Sequence, residues 1–256
     1  MKLRIEKSVV VITPTIGSKQ LKQAMESVAN QTYKNITHLI VIDGREHFEK
    51  TIKATYFHDD SDLYENAVIT TAPFNTGGNG YYGHRIYASY PHLVNHDYIA
   101  FLDEDNWFEP NHIESLVNTL EEKDYDWVHS LRKVYIDDDK YLADDCCESI
   151  GRWPIWFTQS NPQQHQNLVD TSSYLFSREF ITSVSSYWNY GWGGDRRFFM
   201  IVTRELGHNN YGTTGQHTLN YRLPDMNKAY GGDFKFFEKG NEAVKQYYGG
   251  KYPWTE

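Results

Sequence analysis

SVVVITPTIG, residues 8–17, places five consecutive β-branched residues directly before Pro14, and Gly17 follows three residues later. Such a run, bounded by turn-forming residues, predicts a buried parallel strand over residues 8–12. Apolar residues then recur at helical spacing over 21–28, and a second apolar run follows at 38–42. The opening therefore predicts a β–α–β unit, whose two strands run parallel because the crossover returns the chain to the same end of the sheet.

The same alternation of strands and helices continues to about residue 120. Further apolar runs predict strands over 67–71 and 98–102, a helix over 83–90 and another helix that opens near Pro110. This order predicts an α/β fold with a Rossmann-like, mostly parallel central sheet flanked by helices. Ligands of such sheets bind beyond the carboxyl ends of the strands, which here carry Thr13, Asp43 and Asp103.

Composition limits the classes of partner. The 256 residues carry a formal net charge of -9, which disfavours binding to nucleic acid or to an anionic membrane surface. Aromatic residues make up 16% of the chain, and their ring faces suit sugars. The adjacent Cys146 and Cys147 cannot close a loop between distant segments, and no apolar run has the length of a signal sequence or a membrane span. We therefore expect a cytoplasmic protein with no membrane span.

An acidic motif follows the strand over 98–102. FLDEDN, residues 101–106, places three carboxylates where a buried strand releases the chain into solvent. Carboxylates this close repel one another, and a shared divalent cation relieves the repulsion. A nucleotide diphosphate could supply the remaining oxygen ligands of that cation. A solvated acidic turn is the alternative interpretation of the motif taken alone.

A glycine motif supports a rival interpretation. Residues 78–83 satisfy the pattern G-x-G-x-x-G, and Asp103 follows about 20 residues later, as in a dinucleotide-binding dehydrogenase. These glycines lie several residues beyond the preceding strand, past Pro73 and Asn75, whereas the dinucleotide motif needs the tight first turn after a strand. We therefore interpret them as a loop beside the ligand.

Three segments carry a family resemblance. VVVITPTIGSKQLKQAMESVANQTYKNITHLIVIDG (9–44), Gly83-His84-Arg85 and YIAFLDEDNWFEPNHIESL (98–116) together resemble the family two glycosyltransferases with the GT-A fold. The resemblance implies one GT-A domain over 1–256, with a nucleotide-sugar donor half at 1–125 and an irregular acceptor half at 126–256. It also implies transfer of a hexose from a nucleotide diphosphate sugar, most simply a UDP-sugar such as UDP-galactose or UDP-glucose, to a hydroxyl of a glycan or glycoconjugate.

The resemblance also implies roles for individual residues. The nucleotide site would comprise Thr13, Pro14 and Thr15 at its edge, Asp43 on the base, Arg85 facing the nucleotide, Asp103 near the ribose, and Glu104. The divalent metal, Mn²⁺ or Mg²⁺, would be bound by Asp105, and a histidine from the second half would return to it. His217 is the choice for that ligand and His208 the alternate, although a surface histidine is the simpler interpretation of either.

YGWGGD, residues 190–195, is similar to the G-W-G-G-E-D segment of the β-1,4-galactosyltransferases. The likeness implies that Asp195 is the base that deprotonates the acceptor, because a sugar hydroxyl is a poor nucleophile. Trp192 would stack on the acceptor, and Gly193 would let the backbone approach it. The sequence departs from the segment at Gly194, where a glutamate is usual, and at the two arginines that follow Asp195. Asp195 could also cap the helix predicted after it, and a helix N-terminus would keep the carboxylate ionised.

The sequence leaves three functions open. The first is an inverting transferase that uses Asp195 as its base. The second is a retaining GT-A enzyme, which shares the acidic motif and needs no comparable base. The third is a non-catalytic carbohydrate-binding module, which would bind glycans without any dependence on nucleotide or metal.

Overall fold

The computed structural model describes residues 6–55, 65–136, 140–158, 162–223 and 235–255. Within these ranges the strands are β1 Val9–Thr15, β2 Ile36–Ile42, β3 Ala67–Thr71, β4 Tyr98–Phe101, β5 Trp107–Phe108, β6 Trp127–Ile136, β7 Lys140–Asp144, β8 Tyr174–Ser177 and β9 Tyr211–Arg222. The α-helices are α1 Leu21–Ala29, α2 Phe48–Thr55, α3 His84–Ser89, α4 His112–Lys123, α5 Arg178–Val184, α6 Gly194–Met200 and α7 Lys235–Tyr248. None of these helices has the length and apolar composition that a membrane span requires.

The described strands form one sheet with the order β3-β2-β1-β4-β8-β6-β9-β5, and β7 pairs with the far part of β6. The first four strands are mutually parallel, as the opening sequence predicts. β8 then inserts antiparallel between β4 and β6, while β9 runs parallel to β6. The structure therefore confirms the α/β fold and joins both halves of the chain through a single sheet.

β1 is longer than its apolar run predicts, because it continues through Pro14 to Thr15. Proline has no backbone N–H to donate and is tolerated only where one side of a strand is free. On one side Pro14 lies opposite Val41 of β2, whereas the pairing with β4 on the other side ends at Ile12. The extension carries Thr15 to the carboxyl edge of the sheet.

Both faces of the sheet are buried. Val10, Ile12 and Phe101 pack with aromatic residues of the second half in one core cluster. Val9 and Val11 face the other side, where they pack against α1 and α4. This alternation along β1 explains why its sequence is uniformly apolar: a strand covered on both faces has no solvent side on which polar residues are favoured.

An ion cluster lies in the second half. Arg132 of β6 is 2% exposed and binds three buried carboxylates. We call the arginine and these three carboxylates the Arg132 ion cluster. Its Nε is 2.7 Å from Asp145 Oδ2, its Nη1 is 2.8 Å from Asp170 Oδ2 and its Nη2 is 2.5 Å from Glu148 Oε2. A guanidinium can satisfy three carboxylates at once because its donors point in different directions within one plane. The cluster holds the stretch from Asp145 to Glu148, and separately Asp170, against β6.

Removal of Arg132 tests the contribution of this cluster. We expect Arg132→Met to lower the free energy of unfolding by about 3–5 kcal/mol, because three buried carboxylates lose their shared cation. Urea denaturation measures the change. Lys133→Met is the matched control, since the half-exposed ion pair of Lys133 with Glu109, at 2.6 Å, contributes about 1 kcal/mol or less. Equal losses in the two variants would contradict the assigned role of Arg132.

Candidate active site

A cavity of about 550 Å³ opens at the carboxyl ends of β1, β2 and β4. Its walls come from both halves of the chain. The residues predicted from sequence that line it are Pro14, Thr15, Asp43, Asp103, Glu104, Asp105, Trp192, Gly193 and Asp195. The fold thus brings the predicted nucleotide, metal and acceptor residues to one place.

Three predicted residues do not line the cavity. Thr13 is fully buried inside β1, where its Oγ1 is 2.9 Å from Nε2 of His38. Arg85 donates from Nε to Asn189 Oδ1 at 3.2 Å, and its guanidinium lies 3.4 Å over the ring of Tyr81.

His217 is the third of these residues. It belongs to β9, and its Nε2 is 3.3 Å from the carbonyl oxygen of Asp145. The alternate, His208, also lies outside the cavity lining, with its ring against Phe180. Across the described ranges, no group of three His, Cys, Asp or Glu residues is arranged to hold a metal ion. The role of His217 as a metal ligand stays a prediction.

Two acids at the strand ends hold the adjoining loops. Asp43 accepts from the backbone N–H of Thr76 at 2.7 Å and from that of Gly77 at 2.8 Å. Glu104 accepts from Thr15 Oγ1 and from the backbone N–H of Ser18 at 2.9 Å. Each carboxylate therefore shapes the cavity wall even without a ligand.

Four aspartates of the cavity lining interact electrostatically. Asp103 interacts with Asp105, Asp170 and Asp195, and Asp170 interacts with all three of the others; we call the four the carboxylate cluster. Burial, followed by repulsion from Asp105 and Asp170, raises the pKa of Asp103 to about 8. Burial and repulsion from Glu104 raise the pKa of Asp105 to about 6. Raised carboxyl pKa values mean that the cluster holds more negative charge than its surroundings stabilise, which favours a cation there.

Asp195 lies in the first turn of α6. The N-cap of this helix is Gly193, with a φ of 76°, so the interpretation of Asp195 as the N-cap is wrong. The carboxylate of Asp195 instead accepts from the backbone N–H of Arg196 at 2.7 Å. Burial and repulsion from Asp170 raise its pKa, and they outweigh the lowering effect of that N–H. The expectation that the helix N-terminus keeps this carboxylate ionised stays a prediction, and a raised pKa makes the ionised carboxylate a stronger base.

Sequence reasoning missed two residues that shape the site. Asp170 joins the carboxylate cluster and the Arg132 ion cluster, and its Oδ1 accepts from the backbone N–H of Ser172 at 3.0 Å. Arg222, at the end of β9, donates from Nε to the carbonyl oxygen of Asp105 at 3.0 Å. An aspartate directly after the apolar pair Leu168 and Val169 was the available signal for Asp170.

Comparison with known proteins identifies the family. Residues 8–182 match the profile of glycosyl transferase family 2. The chain belongs to this family. The match includes the acidic motif and Asp170, while Trp192 and Asp195 lie beyond its end.

Sequence comparison finds similarity to bacterial glycosyltransferases. The chain is 29% identical over 123 residues to glycosyltransferase GlyA of Streptococcus pneumoniae, which covers 46% of this chain and 16% of that protein. It is 29% identical over 115 residues to the uncharacterized glycosyltransferase RP339 of Rickettsia prowazekii, which covers 45% of this chain and 32% of that protein. The matched part is therefore less than a third of the length of either relative.

Solved structures share the fold at low identity. S. aureus TarS 1-349 in complex with UDP-GlcNAc superposes with a TM-score of 0.58 at 13% identity, covering 87% of this chain and 61% of that one. Another TarS crystal structure gives a TM-score of 0.56 at 13% identity, covering 84% of this chain and 37% of that one. This likeness confirms the GT-A fold, whereas the similarity of residues 190–195 to the β-1,4-galactosyltransferases stays a prediction.

Neutralising one member of the carboxylate cluster should stabilise the chain without ligands. The pKa of Asp103 is raised from its ordinary value of 3.8 to about 8 in the folded chain. Proton binding there stabilises the fold fully below about pH 4, and this contribution is lost as the pH rises through about 8. We therefore expect Asp103→Asn in EDTA to melt about 4 °C or more above the wild type at pH 8, with a smaller difference at pH 5.

Asp97→Asn is the control of opposite sign. The backbone N–H of Ser8, together with Lys7, lowers the pKa of Asp97 to about 2. The stability from this ionised carboxylate is present above the unfolded pKa, so the Asn variant should melt below the wild type at pH 8. Calorimetric scans measure both variants, and an Asp103→Asn variant that melts below the wild type at pH 8 would contradict the electrostatic account of the cavity.

Proposed function

We propose that the chain transfers a hexose from a nucleotide diphosphate sugar to a hydroxyl of a glycan or glycoconjugate. The observation that carries the proposal is the convergence of Asp103, Asp105 and Asp195 in one cavity of a family 2 domain. The first two come from the predicted donor half and the last from the predicted acceptor half. A cavity of this size accepts a small ligand. In this proposal the acids supply the two roles that the transfer requires, which are binding of a metal ion and removal of the acceptor proton.

The donor we propose is a UDP-sugar. Structures of S. aureus TarS, which share this fold, contain UDP or UDP-GlcNAc. Asp43 lies in the cavity wall after β2 and keeps the second lone pair of Oδ2 available for a base N–H. UDP-GlcNAc, UDP-galactose and UDP-glucose are therefore the first donors to compare.

The metal we propose is Mn²⁺ or Mg²⁺, bound by Asp105. The available donors in the carboxylate cluster are oxygens, which these hard cations prefer. The hydrogen bond from Nε of Arg222 to the carbonyl oxygen of Asp105 fixes the loop that carries this carboxylate. When bound, a divalent cation neutralises charge on the diphosphate leaving group.

Asp195 acts as the general base in this proposal. The acceptor hydroxyl gives its proton to the Asp195 carboxylate while its oxygen forms a bond to the anomeric carbon of the donor. The bond from that carbon to the diphosphate oxygen breaks, and UDP leaves with the electron pair. Attack opposite the leaving group inverts the anomeric centre. The raised pKa of Asp195 strengthens this base, provided the carboxylate is ionised when the acceptor binds.

Calorimetric titration with UDP tests the metal. We expect the wild type to bind UDP at least about tenfold more tightly with MnCl₂ than with EDTA, and Asp105→Ala to lose this difference, because the cation joins carboxylate and diphosphate. Glu26→Gln is the control, since Glu26 pairs with Lys22 on the surface of α1 and lies outside the cavity. Metal-independent UDP binding by the wild type would contradict the metal proposal, and binding of glycans without UDP would favour a carbohydrate-binding module.

Substitution of the base tests the mechanism. We expect Asp195→Asn to lower kcat by about 10²-fold or more, because amide nitrogen and oxygen cannot take the acceptor proton, while the Kd for UDP stays unchanged. UDP release during transfer and calorimetry measure the two quantities. Full activity of the variant would refute the base assignment. Proton NMR of the product gives the anomeric configuration, and retention would replace the inverting mechanism with a retaining one.

A further inference from the structure

The ring of His84 lies where a side chain at position 194 would have to go, beside the proposed base. A Cβ built on Gly194 would lie 2.6 Å from both Cε1 and Nδ1 of His84, and 3.2 Å from its Nε2. Such contacts are too short for any side chain at position 194 while the imidazole keeps its place. The imidazole of His84 therefore occupies the space that a side chain at position 194 would need.

The hydrogen bonding of His84 defines its free nitrogen. Nδ1 of His84 is 2.7 Å from the carbonyl oxygen of Tyr190. A carbonyl only accepts, so Nδ1 carries the proton, and in the neutral tautomer with this proton Nε2 presents a lone pair. Tilted ring contacts with Trp188 at 5.9 Å and Tyr82 at 6.0 Å hold the imidazole in this orientation.

His84 faces the cavity at the acceptor side. It lines the cavity together with Gly193 and Asp195. Among the hydrogen bonds of the described residues, none involves its Nε2. The lone pair on Nε2 of the neutral ring is therefore available to a donor on a ligand in the cavity.

We propose that Nε2 of His84 accepts a hydrogen bond from a second acceptor hydroxyl, adjacent to the hydroxyl that Asp195 deprotonates. The reacting hydroxyl has a single proton, which goes to Asp195, so the donor for His84 has to be a neighbouring group. The site would then select acceptors with adjacent hydroxyls, as in sugars and polyols. This inference rests on the proposed function.

Two small alcohols test this selection. Ethylene glycol offers a second hydroxyl as donor, whereas 2-methoxyethanol has the same oxygen without its proton. With UDP-GlcNAc and MnCl₂, we measure by mass spectrometry the ratio of alkyl glycoside to free sugar for each alcohol. The wild type is expected to favour ethylene glycol by about fivefold beyond the factor of two for its two hydroxyls, which corresponds to one neutral hydrogen bond.

Two substitutions separate the nitrogens of the ring. The amide of His84→Asn takes the place of Nδ1 and keeps a donor for the Tyr190 carbonyl, but it leaves nothing at Nε2. The amide of His84→Gln reaches the place of Nε2 and offers an acceptor there. We expect the Asn variant to lose the fivefold preference and the Gln variant to retain most of it, with the Kd for UDP unchanged in both.

Several outcomes would overturn the proposal: no preference in the wild type, a full preference in the Asn variant, or equal losses in both variants. If no donor is consumed even with water as acceptor, and calorimetry shows no binding of UDP, the proposed function fails and the inference falls with it. Gly194→Ala tests the packing separately. It should lower the melting temperature in the wild-type background and have a smaller effect in the His84→Ala background, because the contact is then relieved.

Discussion

The ion pairs of Arg132 are the interaction on which the site most depends. This guanidinium is buried in the middle of β6, and the three carboxylates that surround it lie outside the strands and helices. A buried cation and buried anions are each costly alone, so the geometry of the segment is determined by the need to keep them together. Asp170 is held by this pairing at the point where it also faces the cavity.

The cavity beside the Arg132 ion cluster carries an excess of acids. There the acids outnumber the cations that face them, and the pKa values of Asp103, Asp105 and Asp195 are all raised. Such an arrangement destabilises the ligand-free chain and favours any ligand that brings positive charge. The same crowding explains how a protein with a net charge of -9 could receive an anionic nucleotide, since a cation held by the cluster would lie between the two.

The opening strands could be predicted from the sequence because their signals are local. Each apolar run that forms one of the strands β1 to β4 is visible in a short stretch of sequence, as are the acids that follow β2 and β4. The position of β8 could not be predicted, because its antiparallel insertion between β4 and β6 joins segments far apart in the chain. Asp170 reaches the cavity through that insertion. Arg85 follows the family pattern in sequence, yet its side chain bonds to Asn189 of the second half, a contact that no local pattern contains.

The pairing of β9 with β6 affects which strand sides are open while the chain is being synthesised. β9 runs parallel to β6 from Trp127 to Tyr135, so that side of β6 stays open until residues up to Arg222 have been synthesised. An open strand exposes N–H and C=O groups to which other chains can pair. The family match ends at residue 182, before β9 begins. A fragment cut there would retain the acidic motif, and its β6 would pair with β8 but lack β9 on the other side. Once formed, β9 covers a side of β6 to which another chain could otherwise pair.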